Sequence, residues 1–191
     1  MHTKIVSALL LAAGKSTRAG FPKPLLHWKG ESFVSKVFRS MKASASFRDI
    51  LVVTGFENAR TESELKAIGA DFVYNPAFDT GMHSSIRLGL SVLAPGWQGA
   101  LISHVDQPQL EPADYKTIVR AFQVTAKTLV RPVFKGQAGT PAILGIEHLP
   151  EINAEPDFDG GCAYLFTRHP GDVFHVEMEN SRCLEDIDFY L

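Results

Sequence analysis

Four short apolar runs, at residues 5–11, 49–55, 71–75 and 100–106, alternate along the chain with segments of helical periodicity. The first two are apolar enough to read as buried strands, and the other two, ending in Asn75 and in Asp106 before Pro108, read as strands as well. Between them, residues 32–41 set Phe33, Val34, Val37, Phe38 and Met41 on one helical face. Residues 58–68 form a second helix, and residues 84–93 a third, opened by Gly81 and serine caps. Strands and helices in this order predict an α/β fold: a three-layer, Rossmann-like, mostly parallel sheet with helices on both faces. Ligands of such sheets sit beyond the carboxyl ends of the strands. The loop at residues 14–23, just past the first run, and Asp106, at the end of the fourth, therefore face one crevice.

That loop opens with Gly14-Lys15-Ser16-Thr17, the closing letters of a P-loop. A P-loop also needs a glycine five residues before its glycine-lysine pair, so that backbone amides can surround a phosphate. Here that position is Leu9, inside the first buried run, and the P-loop reading fails. What remains is a short loop after a strand, still rich in anion-binding groups through Lys15, Ser16, Thr17, Arg18 and Lys23. Asp106 precedes Gln107-Pro108, and position alone leaves it open between a metal ligand and a turn cap.

Composition limits what such a crevice serves. A chain of 191 residues, 45% hydrophobic, suffices for one well-cored domain, expected to span residues 1–191. A net charge of -2 and a pI of about 6.4 argue against a nucleic-acid or anionic-membrane surface. Lys4 before an apolar core that ends in small residues also fits a secretory leader. Against that, only Cys162 and Cys183 occur, too few for a disulfide scaffold, and a reducing cytoplasm is the expected setting. No apolar run approaches the roughly 20 residues of a membrane span. The seven histidines show no ligand spacing, which argues against zinc.

From Leu11 to Lys23 the chain reads Leu-Ala-Ala-Gly-Lys-Ser-Thr-Arg-Ala-Gly-Phe-Pro-Lys, which resembles the L-A-A/G-G-x-S-x-R-x-G-x-x-K signature of sugar-phosphate and cofactor nucleotidyltransferases. Further matches follow in order. Asn75-Pro76, Gly81-Met82, Ser84-Ser85 and Gly89-Leu90 resemble N-P…G-M-x-x-S-(L/I)-x-x-G-L, and Asp106-Gln107-Pro108 resembles a D-Q-P metal motif. Arg131-Pro132, Gly136, Gly139 and Pro141 resemble P-x-x-x-G-x-x-G-x-P, Asp159 and Gly161 resemble G-D-x-G, and Asp186-Ile187-Asp188 a terminal D-I-D. The chain is thus similar to the MobA-like and MocA-like proteins of the nucleotide-diphospho-sugar transferase fold, above all the molybdenum-cofactor cytidylyltransferase branch. It departs from them at Phe158 for glycine, Cys162-Ala163 for alanine-arginine, Thr140 for histidine, Val105 for glycine and Ala19 for methionine. Most of these departures fall in the half that holds the acceptor in this family.

The resemblance implies transfer of CMP from CTP to the phosphate of molybdopterin or its molybdenum-loaded form, with release of pyrophosphate. It further implies Mg²⁺ as cofactor, with a molybdenum hydroxylase as recipient of the product. Leu11, Ala12, Ala13, Gly14, Lys15, Ser16, Arg18, Lys23, Asn75, Gly81 and Ser85 would bind the nucleotide. Arg18, Lys23 and Asp106 would be catalytic, with Asp106 and Asp159 on the metal. Ala13 stands where guanylyl relatives carry glycine, and its methyl group would narrow the base site against purines. Each residue also has a plainer reading: Lys15 and Arg18 as solvated loop charges, Asp159 as part of a turn, Asp186 and Asp188 as structural or capping, His104 as packing, Cys162 as a small core residue. A sugar phosphate or other small phosphate is the alternative acceptor. A cofactor-binding chaperone with little catalysis is the alternative class, and retention of Asp106 argues against it.

Overall fold

The structure is a computed structural model and describes residues 3–16 and 21–187. Arg18 and Asp188 lie outside the described residues, as do Thr17, Ala19 and Gly20. The first two-thirds run β1 (Val6–Ala12), β2 (His27–Trp28), β3 (Glu31–Ser32), α1 (Phe33–Ala43), β4 (Ile50–Thr54), α2 (Asn58–Ala67), β5 (Asp71–Tyr74), α3 (Met82–Val92) and β6 (Gly99–His104). The remainder runs α4 (Pro112–Val124), β7 (Leu129–Phe134), β8 (Gln137–Ala138), β9 (Ala142–Gly145), α5 (Leu149–Ala154), α6 (Ala163–Arg168) and β10 (Val173–Glu177). The main sheet has the order β10-β7-β9-β6-β1-β4-β5, with β8 paired to β7. The β1–β4, β4–β5, β1–β6 and β7–β10 pairs are parallel, while β9 runs antiparallel to both of its neighbours.

Side chains alternate between the two faces of a strand, and β1 supplies both cores from one continuous apolar run. Val6, Ala8, Leu10 and Ala12 join α1 and α4 through Phe33, Val37, Met41, Tyr115 and Ile118. Leu9 and Leu11 join α3, α5 and α6 through Ile86, Leu90, Ile152 and Leu165 on the other face. The expected three-layer α/β architecture is therefore present. Gly89 explains how closely α3 approaches the sheet, since a Cβ there would stand 2.7 Å from Leu9 Cδ1. Ser32 caps α1, accepting the Ser35 N–H at 3.3 Å. The third helix differs from expectation at its start. Gly81, at φ 120°, precedes it with no side-chain cap, and the Ser84 hydroxyl instead donates to the Ala77 and Gly81 carbonyls.

The chain leaves β1 for β4 and β5 on one side, then returns to lay β6 on the other. The strand order thus reverses at β1, the place where open α/β sheets form their crevice. The register there sets Leu11 opposite His104, and the Val105 N–H donates to the Leu11 carbonyl at 3.2 Å. The loop after β1 and the turn holding Asp106 emerge side by side. Beyond β6, Lys135 and Gly136 both have positive φ and close a two-residue hairpin between β7 and β8. The chain then re-enters between β7 and β6 as β9. A final strap crosses back to the crevice: Gln109 donates to the Arg182 and Glu185 carbonyls, and the Ile187 N–H donates to the Asp106 carbonyl at 2.8 Å.

Candidate active site

At the strand reversal lies a cleft of about 540 Å³. Its walls include Leu11, Ala12, Ala13, Gly14, Lys15, Ser16 and Lys23 from the first loop, Met82 and Ser85 from α3, His104, Val105 and Asp106 after β6, and Asp159. Lys23 Nζ lies 2.8 Å from Asp106 Oδ2, both side chains mostly shielded from water. The loop is shaped to bring Lys23 there. Ser16 adopts φ 53°, and its hydroxyl accepts the Lys23 backbone N–H at 2.9 Å. Gly14 has a different reason to be small. A Cβ at Gly14 would meet no atom of the described residues within 4 Å beyond its chain neighbours, and Gly14 itself lines the cleft. Lys15 Nζ lies 5.7 Å from the centre of the Phe78 ring, which shares the cleft wall.

Two residues expected at the nucleotide do not line the cleft. Asn75 is buried, and its Nδ2 donates to both the Ser84 and Ser85 hydroxyls at 2.9 Å while its Oδ1 accepts from the Ala77 N–H. Its amide is consumed in holding the turn before α3. Gly81 packs its Cα against the 158–159 backbone, where a Cβ would come within 2.4 Å of the Phe158 carbonyl carbon. Ser85 does line the cleft, and so does the amino terminus of α3, whose dipole favours anions.

Asp159 reaches the cleft because its loop is clamped to α3. Asp157 accepts from Arg87 at 3.0 Å and faces His83 Nδ1 at 3.5 Å. The His83 ring stacks on Phe158 with centroids 5.3 Å apart, and the His83 backbone N–H donates to the Phe158 carbonyl. Phe158, a departure from the related pattern, thereby serves as the packing surface of this clamp.

The geometry gives two residues a place that sequence reading had assigned to packing or capping. His104 lines the cleft, and burial is the main cause that lowers its pKa. Asp186 accepts from Gln107 Nε2 at 3.2 Å, and its carboxyl pKa is raised, first by burial and then by the Asp106 charge. The Asp106 charge thus reaches the Asp186 carboxyl at the end of β6. The signal that could have found Asp186 is the terminal D-I-D pattern. Its place near Asp106 rests on the strap, which no local pattern reveals.

Next to the cleft, and sharing Met82 and His104 with it, is a mainly apolar cavity of about 240 Å³. It is lined by Ile86, Ile102, Ala142, Leu144, Cys162 and Phe166, together with Thr140 and Arg131. The Arg131 guanidinium lies 5.0 Å from the centre of the Phe166 ring, and burial lowers its pKa. Burial also pushes the Cys162 thiol up to about 12, which suits packing and not nucleophilic attack.

The profile of the family described as MobA-like NTP transferase domain matches residues 8–173, from β1 to the start of β10. The chain belongs to that family. It is a nucleotidyltransferase of the MobA-like kind, and the matched stretch carries both walls of the cleft. The MobA-like chain is 24% identical over 185 residues to the molybdenum cofactor cytidylyltransferase of Escherichia coli K12, spanning 96% of this chain and 91% of that protein. Its fold is similar to the crystal structure of Rv0371c from Mycobacterium tuberculosis H37Rv, with a TM-score of 0.82, 23% identity, and 98% and 95% of the two chains covered. The structure of Rv0371c in complex with manganese gives a TM-score of 0.76 at 22% identity over 92% of this chain and 89% of that one. Among the described residues of the MobA-like chain, no helix is long and apolar enough to cross a membrane.

Proposed function

We propose that this chain transfers CMP from CTP to the phosphate of a pterin-type acceptor, molybdopterin or its molybdenum-loaded form, releasing pyrophosphate. The observation that carries the reading is the meeting of Lys23, Asp106 and the open backbone at Gly14 in one cleft, beside a separate apolar cavity. Nucleotidyl transfer needs a polyanion site and an acceptor site that share an edge. The loop amides of residues 14–16 would hold the triphosphate, as backbone donors in a turn do for anions. Arg18 would add a bidentate donor there. Lys23 would move its ammonium from Asp106 to the α-phosphate, where negative charge grows during attack. An acceptor phosphate is already ionised, so no protein base is required, and positioning with charge stabilisation carries the reaction.

The cleft's donor set suits a hard divalent ion. Asp106 and Asp159 line the same cleft, and the Asp186 carboxyl lies near enough to feel the Asp106 charge, so Asp106 with Asp159 or Asp186 would hold Mg²⁺ by oxygen ligands. The bound ion would supply neutralisation of the nucleotide phosphate oxygens. The manganese complex of Rv0371c supports a divalent ion in this fold. Preference for CTP rests on Ala13, a residue of the cleft lining whose methyl group would narrow the base site against purines. The E. coli relative supports both the cytidylyl donor and the pterin acceptor.

The second cavity supports a flat acceptor ring, which would stack between mainly apolar walls beside Phe166 and Arg131. The comparison that tests this uses CTP and Mg²⁺ with either molybdopterin or a sugar phosphate as acceptor. Molybdopterin is expected to give the higher kcat/KM, and Arg131→Gln to raise the acceptor KM about tenfold, the cost of a lost charged hydrogen bond, while the CTP KM stays put. Faster turnover of the sugar phosphate would replace the pterin by the second reading.

A further inference from the structure

The fold also assembles a group of donors away from the cleft, from residues with no motif spacing. β9 runs antiparallel to β6, so residues that follow it stand at the amino-terminal edge of the parallel strands. The start of β7 and the start of β10 lie at that same edge. There His148, Glu151 and His169 each offer a ligand atom, all within 4.8 Å of one another. The cleft lies at the opposite edge, about 20 Å away, the length of a six-residue strand.

The surroundings suit an ion. His169 Nε2 lies 2.6 Å from Glu151 Oε2, and the two imidazole rings are 5.0 Å apart between centroids. Thr128 Oγ1 engages His148 Nε2 at 2.8 Å, an outer contact of the type that fixes a ligating imidazole. Arg168 holds the other Glu151 oxygen, Oε1, at 2.9 Å, which leaves Oε2 turned toward His169. His148 is buried, while His169 and Glu151 are about one-third exposed, at 34% and 27% of their side chains, so an ion has a path and a water position. Ligands on a tetrahedral zinc stand about 3.4 Å apart, given bonds of about 2.0–2.1 Å, so small side-chain rotations that open the 2.6 Å pair and draw in the rest would reach that spacing.

We propose that His148, Glu151 and His169 form a binding site for a borderline divalent transition metal, zinc foremost, separate from the reaction cleft. Two imidazoles and a carboxylate are the donors such an ion takes when a water fills the fourth position. The site joins the turn after β9 to the turn before β10. Asp159, Cys162 and Phe166 lie on the segment between Glu151 and His169, so the ion pins both ends of the stretch that lines the cleft and the second cavity.

The test is a calorimetric titration of the metal-stripped full chain with zinc chloride, without nucleotide, alongside thermal melting. One equivalent is expected to bind with the histidines and Glu151 intact, raising Tm by about 5 °C at a hundredfold excess over Kd. Glu151→Gln, which keeps the side chain's shape, and His169→Ala should each weaken zinc at least about tenfold with the circular dichroism spectrum unchanged. Thr128→Val should weaken it about tenfold through the outer contact, and Asp106→Asn should leave it unaltered. If His169→Ala does not fold, Glu151→Gln decides alone. Absence of saturable binding, or equal zinc affinity in wild type and Glu151→Gln, overturns the site and leaves the reading of the cleft untouched.

Discussion

Asp106→Asn and Lys23→Ala are each expected to cut turnover at least about a hundredfold, or ~2.7 kcal/mol of transition-state stabilisation. Asparagine keeps the shape of Asp106 but removes the charge that faces Lys23 at 2.8 Å and that would bind a cation. Alanine at 23 removes the ammonium itself. The folded state should tolerate both changes, because the pair lies in a cleft wall and not in either core. Circular dichroism and steady-state pyrophosphate release, measured on the same preparations, check this. Near-normal rates in both variants would remove the two residues from the chemistry. The double variant should lose much less than the product of the single losses, since the groups contact each other.

Gly81→Ala should be among the most disruptive single-methyl additions in the chain. The backbone there, at φ 120° and ψ 165°, occupies a region essentially reserved for glycine. The added Cβ would also stand 2.4 Å from the Phe158 carbonyl carbon and 2.6 Å from its oxygen, both backbone atoms that no side-chain rotation moves aside. Together these cost about 2–4 kcal/mol of stability. The loop that carries Asp159 must move, so turnover should fall as well. Chemical denaturation and kinetics together test the coupling: a stable variant with full activity would show that the clamp formed by Gly81, His83 and Asp157 does not position Asp159. Gly14→Ala is the matched control for stability, since its Cβ meets no atom of the described residues beyond its chain neighbours.

What could be read directly from the residues follows from how parallel strands are buried. β1, β4 and β6 are covered on both faces, so their sequences are largely apolar runs, and α1 and α3 show one apolar face each. The final third resists that reading. β7 contains Arg131 and Pro132, and β9 has four residues whose antiparallel direction follows from the hairpin at Lys135-Gly136, so neither announces itself. In the site, the loop from Leu11 to Ser16, Lys23 and Asp106 was legible because strand ends at a reversal of strand order must meet. Asn75 and Gly81 stand outside the cleft lining, where the amide and the missing Cβ act on the protein's own turn and loop. The position of Asp186 depends on Gln107, Gln109 and a backbone bond from Ile187, contacts about 80 residues apart in sequence that no local spacing encodes.

The fate of labelled phosphate decides whether attack falls on the α-phosphorus. The chain, Mg²⁺ and molybdopterin are incubated with each of the four nucleoside triphosphates, labelled once at the α-phosphate and once at the γ-phosphate. With CTP, the α-label should become covalently joined to the acceptor while the γ-label leaves in pyrophosphate in equal amount, and the purine nucleotides should react far more slowly. Release of the γ-label as orthophosphate, its transfer to the acceptor, or no transfer of α-label from any of the four would contradict nucleotidyl transfer in this cleft.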